Sequence, residues 1–120
     1  MKHTIEGFSQ KAARDFKKTV LINSKKSTLK IDVIDLMILR WFADRYPVLE
    51  KFYVDDKEYS WVNYKSIMEY MPLLQIQEIP FYKRMQKMVY FGILDQLNRG
   101  VSDPLPYYRF GDGYNKLISG

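Results

Sequence analysis

Residues 75–94, QIQEIPFYKRMQKMVYFGIL, place apolar and polar side chains with the 3.6-residue period of an amphipathic helix. The apolar residues that form one buried stripe are Phe81, Met85, Met88 and Val89. Gly92 is expected to end the helix, because glycine adopts the left-handed C-terminal conformation without a Cβ clash. Ile93 and Leu94 then begin a predicted strand.

The other side of this helix carries side chains that can bond phosphates and base edges. These are Tyr82, Lys83, Gln86, Lys87 and Tyr90. Lysine supplies a point charge, glutamine an amide and tyrosine a hydroxyl. Arg84 is predicted either to contact phosphate or to brace the helix against the acidic middle of the chain. An ordinary amphipathic helix with a solvated basic face is the alternative interpretation.

Residues 31–46 predict a second long helix, with Asp32 and Asp35 in its first turn, where the helix dipole favours carboxylates. Pro47 is expected to stop it. The apolar residues form two strips: Ile31, Ile34, Ile38, Trp41 and Phe42 on one side, and Leu36, Leu39 and Ala43 on the other. A helix that is apolar on two sides is either sandwiched or shared with another subunit. We expect the N-terminal segment to cover the second strip, with a homodimer contact as the alternative.

Between the two long helices, residues 52–54 and 58–62 predict a β-hairpin around the turn 55–57. A short helix over 64–71 follows, with Asn63 as its cap and Pro72 as its end. Lys65, in the first turn of that helix, is a further candidate for a DNA contact.

Beyond the last long helix, residues 93–97 and 107–110 are expected to pair as two strands around an irregular loop over 98–106. Arg99 in that loop could enter a groove or contact phosphate; a solvated loop residue is the alternative. The closing residues 113–120 predict one further turn of helix.

The first thirty residues predict a short helix over 10–18 with Ser9 as its cap, followed over 19–30 by a strand fragment or loop. Their lysines either reach a DNA backbone or form a solvated basic segment. The lysines in question are Lys17, Lys18, Lys25, Lys26 and Lys30.

The formal net charge of +5 is unevenly distributed. Residues 1–30 hold eight basic and two acidic side chains, residues 31–80 hold five and nine, and residues 81–120 hold six and three. Positive charge at both ends suits a polyanion such as nucleic acid, or an acidic membrane surface. No apolar run approaches the roughly 20 residues that span a bilayer, so we expect no membrane partner.

Catalytic chemistry has few candidates in this chain. The absence of cysteine excludes disulfides, a thiol nucleophile and cysteine-ligated zinc, and it fits a cytoplasmic location. The only histidine is His3, near the terminus, and no glycine-rich phosphate loop follows a strand. We therefore expect no enzymatic activity, no cofactor and no metal.

Several motifs resemble the winged-helix N-terminal domains of replication initiators and replisome organisers from phages and mobile elements of Gram-positive bacteria. The matching segments are GFSQ at 7–10, IDVIDLMILRWFADRY at 31–46, YSWVNYKSIMEYMPLL at 59–74, FYKRMQKMVYFGIL at 81–94 and YYRFGDGY at 107–114. The chain departs from that pattern in a longer linker over 17–30 and a sparser basic run in the last long helix. It also stops where such initiators continue into a second domain, so we expect either a fragment or a small protein that keeps only this module.

The resemblance implies an α+β fold, a winged helix-turn-helix with three main helices, a β-hairpin, a two-stranded wing and an extra N-terminal helix. Residues 1–30 would form a basic extension and residues 31–120 the winged-helix domain. The last long helix would lie in the major groove of double-stranded DNA, for replication initiation or transcriptional control.

The alternative is a protein-interaction module, an inhibitor or adaptor that binds replication or host proteins. Its interface would use aromatic residues predicted to be exposed. These are Tyr82, Tyr90, Phe91, Tyr107 and Tyr108.

Overall fold

The computed structural model describes residues 4–98 and 104–119, and its fold class is α+β, as expected. The helices of this part of the chain are α1 (Gln10–Asp15), α2 (Val33–Arg45), α3 (Tyr64–Tyr70), α4 (Glu78–Tyr90) and α5 (Asp112–Ser119). The strands are β1 (Thr4–Ile5), β2 (Phe8–Ser9), β3 (Lys17–Ile22), β4 (Lys25–Lys30), β5 (Lys51–Val54), β6 (Lys57–Trp61), β7 (Leu94–Asn98) and β8 (Pro104–Phe110). Single 3-10 turns at Tyr46–Val48 and Pro72–Leu74 follow α2 and α3.

Helix α2 is the centre of the hydrophobic core. The Asp32 carboxylate caps its N-terminus by accepting a hydrogen bond from the Asp35 amide, and the Asp35 carboxylate accepts one from the Asp32 amide, which completes a capping box. Both apolar strips are largely buried, so α2 is sandwiched, although Ile34 is an exception that stays 37% exposed. Phe8 is fully buried in the same cluster, and Ala13 lines one cleft with Leu36. The N-terminal segment therefore lies against this helix, as expected.

The main sheet joins two elements that the sequence predicted as separate pairs. Its strand order is β5-β6-β8-β7, all antiparallel, because β6 pairs with β8 through Ser60↔Tyr108 and Trp61↔Tyr107. Strand β8 begins within the predicted loop 98–106 despite its prolines. Pro106 lacks an N–H, but its carbonyl accepts a hydrogen bond from the Val62 amide at 2.8 Å. Tyr108, in the middle of β8, is buried.

Strands β3 and β4 form a hairpin where the sequence predicted only a strand fragment or loop. Their six pairs run from Lys17↔Lys30 to Ile22↔Lys25. Asn23 and Ser24 at the turn have φ values of 51° and 65°, the left-handed conformations of a type I′ turn. Asn-Ser is a weaker signal for this turn than Asn-Gly, and lysine is depleted in strands, which explains the missed hairpin. Helix α1 ends earlier than predicted, at Asp15, although Ser9 caps it as expected.

Helix α5 is longer than the single turn predicted for this segment. Leu117 is fully buried in the core, and the Tyr114 ring contacts those of Phe110 and Phe8, with centroids 4.2 and 5.9 Å apart. The end of the described chain is thus packed against its beginning.

Two glycines at the junction of α4, β8 and α5 differ in the space around them. A Cβ at Gly111 would lie 2.3 Å from the Gly92 carbonyl oxygen, whereas a Cβ at Gly92 meets nothing within 4 Å. We expect Gly111→Ala to lower the free energy of unfolding by about 3 kcal/mol, because backbone must move to admit the methyl group. Gly92→Ala should lower the free energy of unfolding by only about 1 kcal/mol, because a residue with a Cβ is strained at a φ of +73°. Urea unfolding of both variants measures the difference, and equal losses would contradict this explanation.

Candidate nucleic-acid interface

Helix α4 buries the predicted stripe and ends where the sequence indicated. Phe81, Met85 and Met88 are at most 1% exposed, and Val89 is half-buried. Phe91 is the C-terminal cap and Gly92 has a φ of +73°. The predicted period of this helix is therefore confirmed.

The other side of α4 is only partly available to a ligand. Lys83, Gln86 and Tyr90 are exposed. Tyr82 is half-buried, and its hydroxyl donates a hydrogen bond to the Val62 carbonyl at 3.3 Å and accepts one from the Tyr64 amide at 3.3 Å. Burial, followed by the nearby Glu78 charge, raises the pKa of Tyr82, although the Tyr64 amide opposes that shift. This hydroxyl positions α4 against the start of α3 rather than projecting into solvent.

Lys65 lies in the first turn of α3, close to that contact. Asn63 caps the helix by accepting a hydrogen bond from the Lys65 amide at 3.0 Å, as predicted. The Lys65 side chain is exposed. Because Tyr82 holds the neighbouring Tyr64 against α4, Lys65 and the exposed face of α4 belong to adjoining surfaces.

A chain of amides links α4 to the main sheet. The Gln86 Nε2 donates to Gln96 Oε1 at 2.6 Å, and Gln96 Nε2 donates to the Tyr108 hydroxyl at 3.2 Å. With Tyr82 and Pro106 these residues line an open groove of about 350 Å³. Burial raises the pKa of Tyr108 far above its ordinary value. The second Nε2 hydrogen and the Oε1 atom of Gln86 remain for another ligand, because this bond uses only one of its two donors.

The remaining two cations of α4 belong to a cluster with two acids at the N-terminal end of α2, which we call the ion cluster: Asp32, Asp35, Arg84 and Lys87. The Lys87 ammonium lies 2.5 Å from Asp35, and the side chain is only 14% exposed. Lys87 therefore does not project from the exposed face on which the sequence pattern placed it. Arg84 braces α4 against α2, with Nη1 2.7 Å from Asp32 and 3.0 Å from Asp35.

The ion cluster shifts the pKa values of its members in different directions. Burial raises the pKa of Asp35 despite its hydrogen bonds to Lys87, Arg84 and the Asp32 backbone. Asp32 is also partly desolvated, but its bonds to Arg84 and the Asp35 backbone, with the charges of Arg84 and Lys87, lower its pKa overall. The same two carboxylates raise the pKa of Arg84 against the opposing effect of burial. The cluster is an internal brace whose charges neutralise one another.

Besides the brace considered for Arg84, the sequence contained a second indication of the ion cluster. Asp35 lies three and four residues before Ile38 and Leu39, so it shares their face of the helix and is buried with them. A buried carboxylate needs a cationic partner. Assigning Asp32 and Asp35 only to the helix dipole missed that requirement, because the cations lie about fifty residues away, but the brace predicted as one alternative for Arg84 is the arrangement found.

The structure bears differently on the predicted DNA contact in the loop and on the predicted aromatic protein interface. Arg99 lies outside the described residues. Among the aromatic residues proposed for a protein interface, Tyr90 is exposed, whereas Tyr108 is buried and was wrongly predicted to be accessible. The others are only partly exposed: Tyr82, Phe91 and Tyr107.

Within residues 4–98 and 104–119, no three acidic or histidine side chains converge where they could hold a metal ion. No helix in that part of the chain combines the length and apolar character needed to cross a membrane. Comparisons of the chain with models of protein families, with curated proteins and with solved structures found no match.

Proposed function

We propose that this chain is a duplex DNA-binding protein of the winged-helix type, from a phage or mobile element, that acts in replication initiation or transcriptional control. The observation that carries the proposal is the exposed face of α4, with Lys83, Gln86 and Tyr90, between α3 and the edge of the main sheet. The order of helices and strands from α2 onward supports it: α2, β5, β6, α3, α4, β7 and β8, with β6 paired to β8. A winged-helix domain is expected to have this order: a helix, a strand, a second helix, the recognition helix and a two-stranded wing.

In the proposed complex, α4 lies in the major groove. Lys83 reaches a phosphate or a guanine edge, and Gln86 uses its Oε1 atom and its second Nε2 hydrogen to bind a base such as adenine. Lys65 contacts the backbone beside the groove. Arg84 and Lys87 do not reach the DNA, since both are occupied in the ion cluster.

Only a few cations are assigned to this proposed surface, so we expect a modest salt dependence of binding. About three phosphate contacts, from Lys65, Lys83 and Arg99, give a slope of log K against log salt of roughly −3. A steeper slope would require cations from another part of the molecule.

Lys83→Glu is expected to weaken duplex binding at least about tenfold at low salt, because it replaces an attraction to phosphate with a repulsion. Fluorescence anisotropy with a random duplex and with the protein's own upstream region measures the loss. Lys57→Glu, on the exposed hairpin β5–β6, is the matched control and should bind as the wild type does. If the wild type binds the duplex and Lys83→Glu binds it equally tightly, the result would contradict a role for α4 in DNA binding.

A second candidate is a protein-interaction module, which an exposed apolar surface favours. Leu73 is 90% exposed in the turn after α3. It borders a groove of about 500 Å³ between α2 and α3, lined by Ile34, Met37, Tyr70, Met71, Pro72, Leu73 and Leu74. Apolar patches of this kind are common at protein interfaces. Absence of wild-type binding to any duplex at low salt would favour this candidate over DNA recognition.

A further inference from the structure

The β3–β4 hairpin is a basic, largely solvated ribbon. No acidic residue occurs between Phe16 and Ile31, and all five of its lysines are exposed. They are Lys17, Lys18, Lys25, Lys26 and Lys30. None of them forms an ion pair with another described residue, since the ion pairs of that part of the chain involve other cations.

The ribbon has few interactions of its own that would stabilise it as a hairpin. An isolated two-stranded hairpin is marginally stable in water. Lys17 lies directly opposite Lys30, and like charges in that position repel. Beside the turn, Leu21 is 72% and Ile22 57% exposed. Burial in this domain does not explain these exposed residues, whereas contact with a partner would.

The root of the ribbon lies beside the C-terminal end of α4. The Phe16 ring is 5.8 Å from that of Phe91, the cap of α4, and Phe91 in turn contacts exposed Tyr90. The Ile31 amide donates to the Phe16 carbonyl at 3.3 Å and closes the root. Strands of six residues extend about 20 Å from that root, comparable with the distance from one DNA groove to the next.

A cationic cleft extends the positive surface onto the body of the domain. Arg14 of α1 lines it with Lys17 and Lys30 from the root of the ribbon, over a volume of about 540 Å³. Asp32 also borders the cleft, but its charge is already paired with Arg84. Positive charge therefore continues from the tip of the ribbon to helix α1.

We propose that the ribbon is a second DNA-binding element, which lays its lysines along the phosphates of the groove next to α4 and wedges one of its two exposed apolar tip residues, Leu21 or Ile22, between bases. Apolar wedges beside cations are how several architectural proteins kink a duplex. The inference deepens the proposed function and rests on it for the placement of the duplex, but the ribbon's own contacts can be measured separately.

The arrangement of the ribbon favours DNA over an acidic membrane. Leu21 and Ile22 are consecutive strand residues, so their side chains point to opposite faces of the ribbon. Lysines likewise occur on both faces, since Lys17 and Lys18 are consecutive, as are Lys25 and Lys26. A surface element that lies on a membrane separates an apolar face from a charged one. A narrow ribbon, charged along both faces with an apolar tip, fits a groove.

Two double variants separate the proposed contacts. Lys25→Ala with Lys26→Ala should weaken duplex binding about tenfold and reduce the magnitude of the salt slope by about two, because two phosphates are no longer neutralised by a lysine. Leu21→Ser with Ile22→Ser should keep the salt slope but lose the bend, measured by energy transfer between dyes at the two duplex ends. Lys57→Ala with Lys116→Ala, two exposed lysines elsewhere, is the matched control. All variants should unfold at the wild-type temperature, because the substituted side chains are exposed.

The outcomes distinguish the ribbon from α4. If both ribbon variants match the wild type while Lys83→Glu binds weakly, the ribbon inference is wrong and the proposed function stands. Weak binding by the lysine variant with normal binding by Lys83→Glu supports the ribbon and removes α4 from the interface. Wild-type binding to phosphatidylserine vesicles, with no binding to any duplex, overturns both.

Discussion

Lys87→Glu is expected to lower the free energy of unfolding by about 5 kcal/mol, because it breaks a buried ion pair and sets a second carboxylate against Asp35. Asp35 is fully buried, and the Lys87 ammonium is its closest cation. A domain of this size has a total stability of roughly 5–15 kcal/mol, so the variant should lose about a third of that stability or more. Urea titration followed by circular dichroism measures the loss.

Lys83→Glu is the matched control for this experiment. It makes the same charge reversal one helical turn earlier on α4, at an exposed position, and should change stability by about 0.5 kcal/mol or less. Equal stability of the two variants would contradict the ion cluster. If the expected difference is found, loss of DNA binding by Lys87→Glu reports unfolding, whereas loss by Lys83→Glu reports the interface.

The elements that could be predicted from the sequence are those specified by local patterns. The period of α4, the caps of α1 and α3, and the β5–β6 turn each depend on residues within a few positions of one another. The two strands predicted over 93–97 and 107–110 were recovered as well, with shifted ends, as β7 and β8. These signals determine which segments form helices and strands, but not how the elements are brought together.

The candidate site depended more on distant contacts, and there the sequence was a poorer guide. Lys83 and Lys87 are both lysines on the polar side of one predicted helix, yet one is exposed and the other is paired with Asp35. The pairing of β6 with β8, which places the groove beside α4, likewise joins segments more than forty residues apart. No local pattern distinguishes these cases, because the deciding partner comes from another part of the chain.

Phe8→Ala is expected to lower the free energy of unfolding by about 4 kcal/mol, which tests whether residues 1–30 are merely an extension. The Phe8 ring is fully buried, contacts Tyr114 of α5 at 5.9 Å and lies under the Arg40 guanidinium of α2 at 5.2 Å. Removing it leaves a cavity between the beginning and the end of the described chain. Thermal and urea unfolding measure the loss.

Ile22→Ala is the control from the same thirty residues. Ile22 is 57% exposed at the tip of the ribbon, so its truncation should change stability by about 0.5 kcal/mol or less. A large loss at Phe8 with none at Ile22 would divide the segment in two: residues that complete the core, and a ribbon that is free to serve a partner. A small loss at Phe8 would instead mean that the core formed by 31–120 is stable without this segment, and that the whole of 1–30 is an extension.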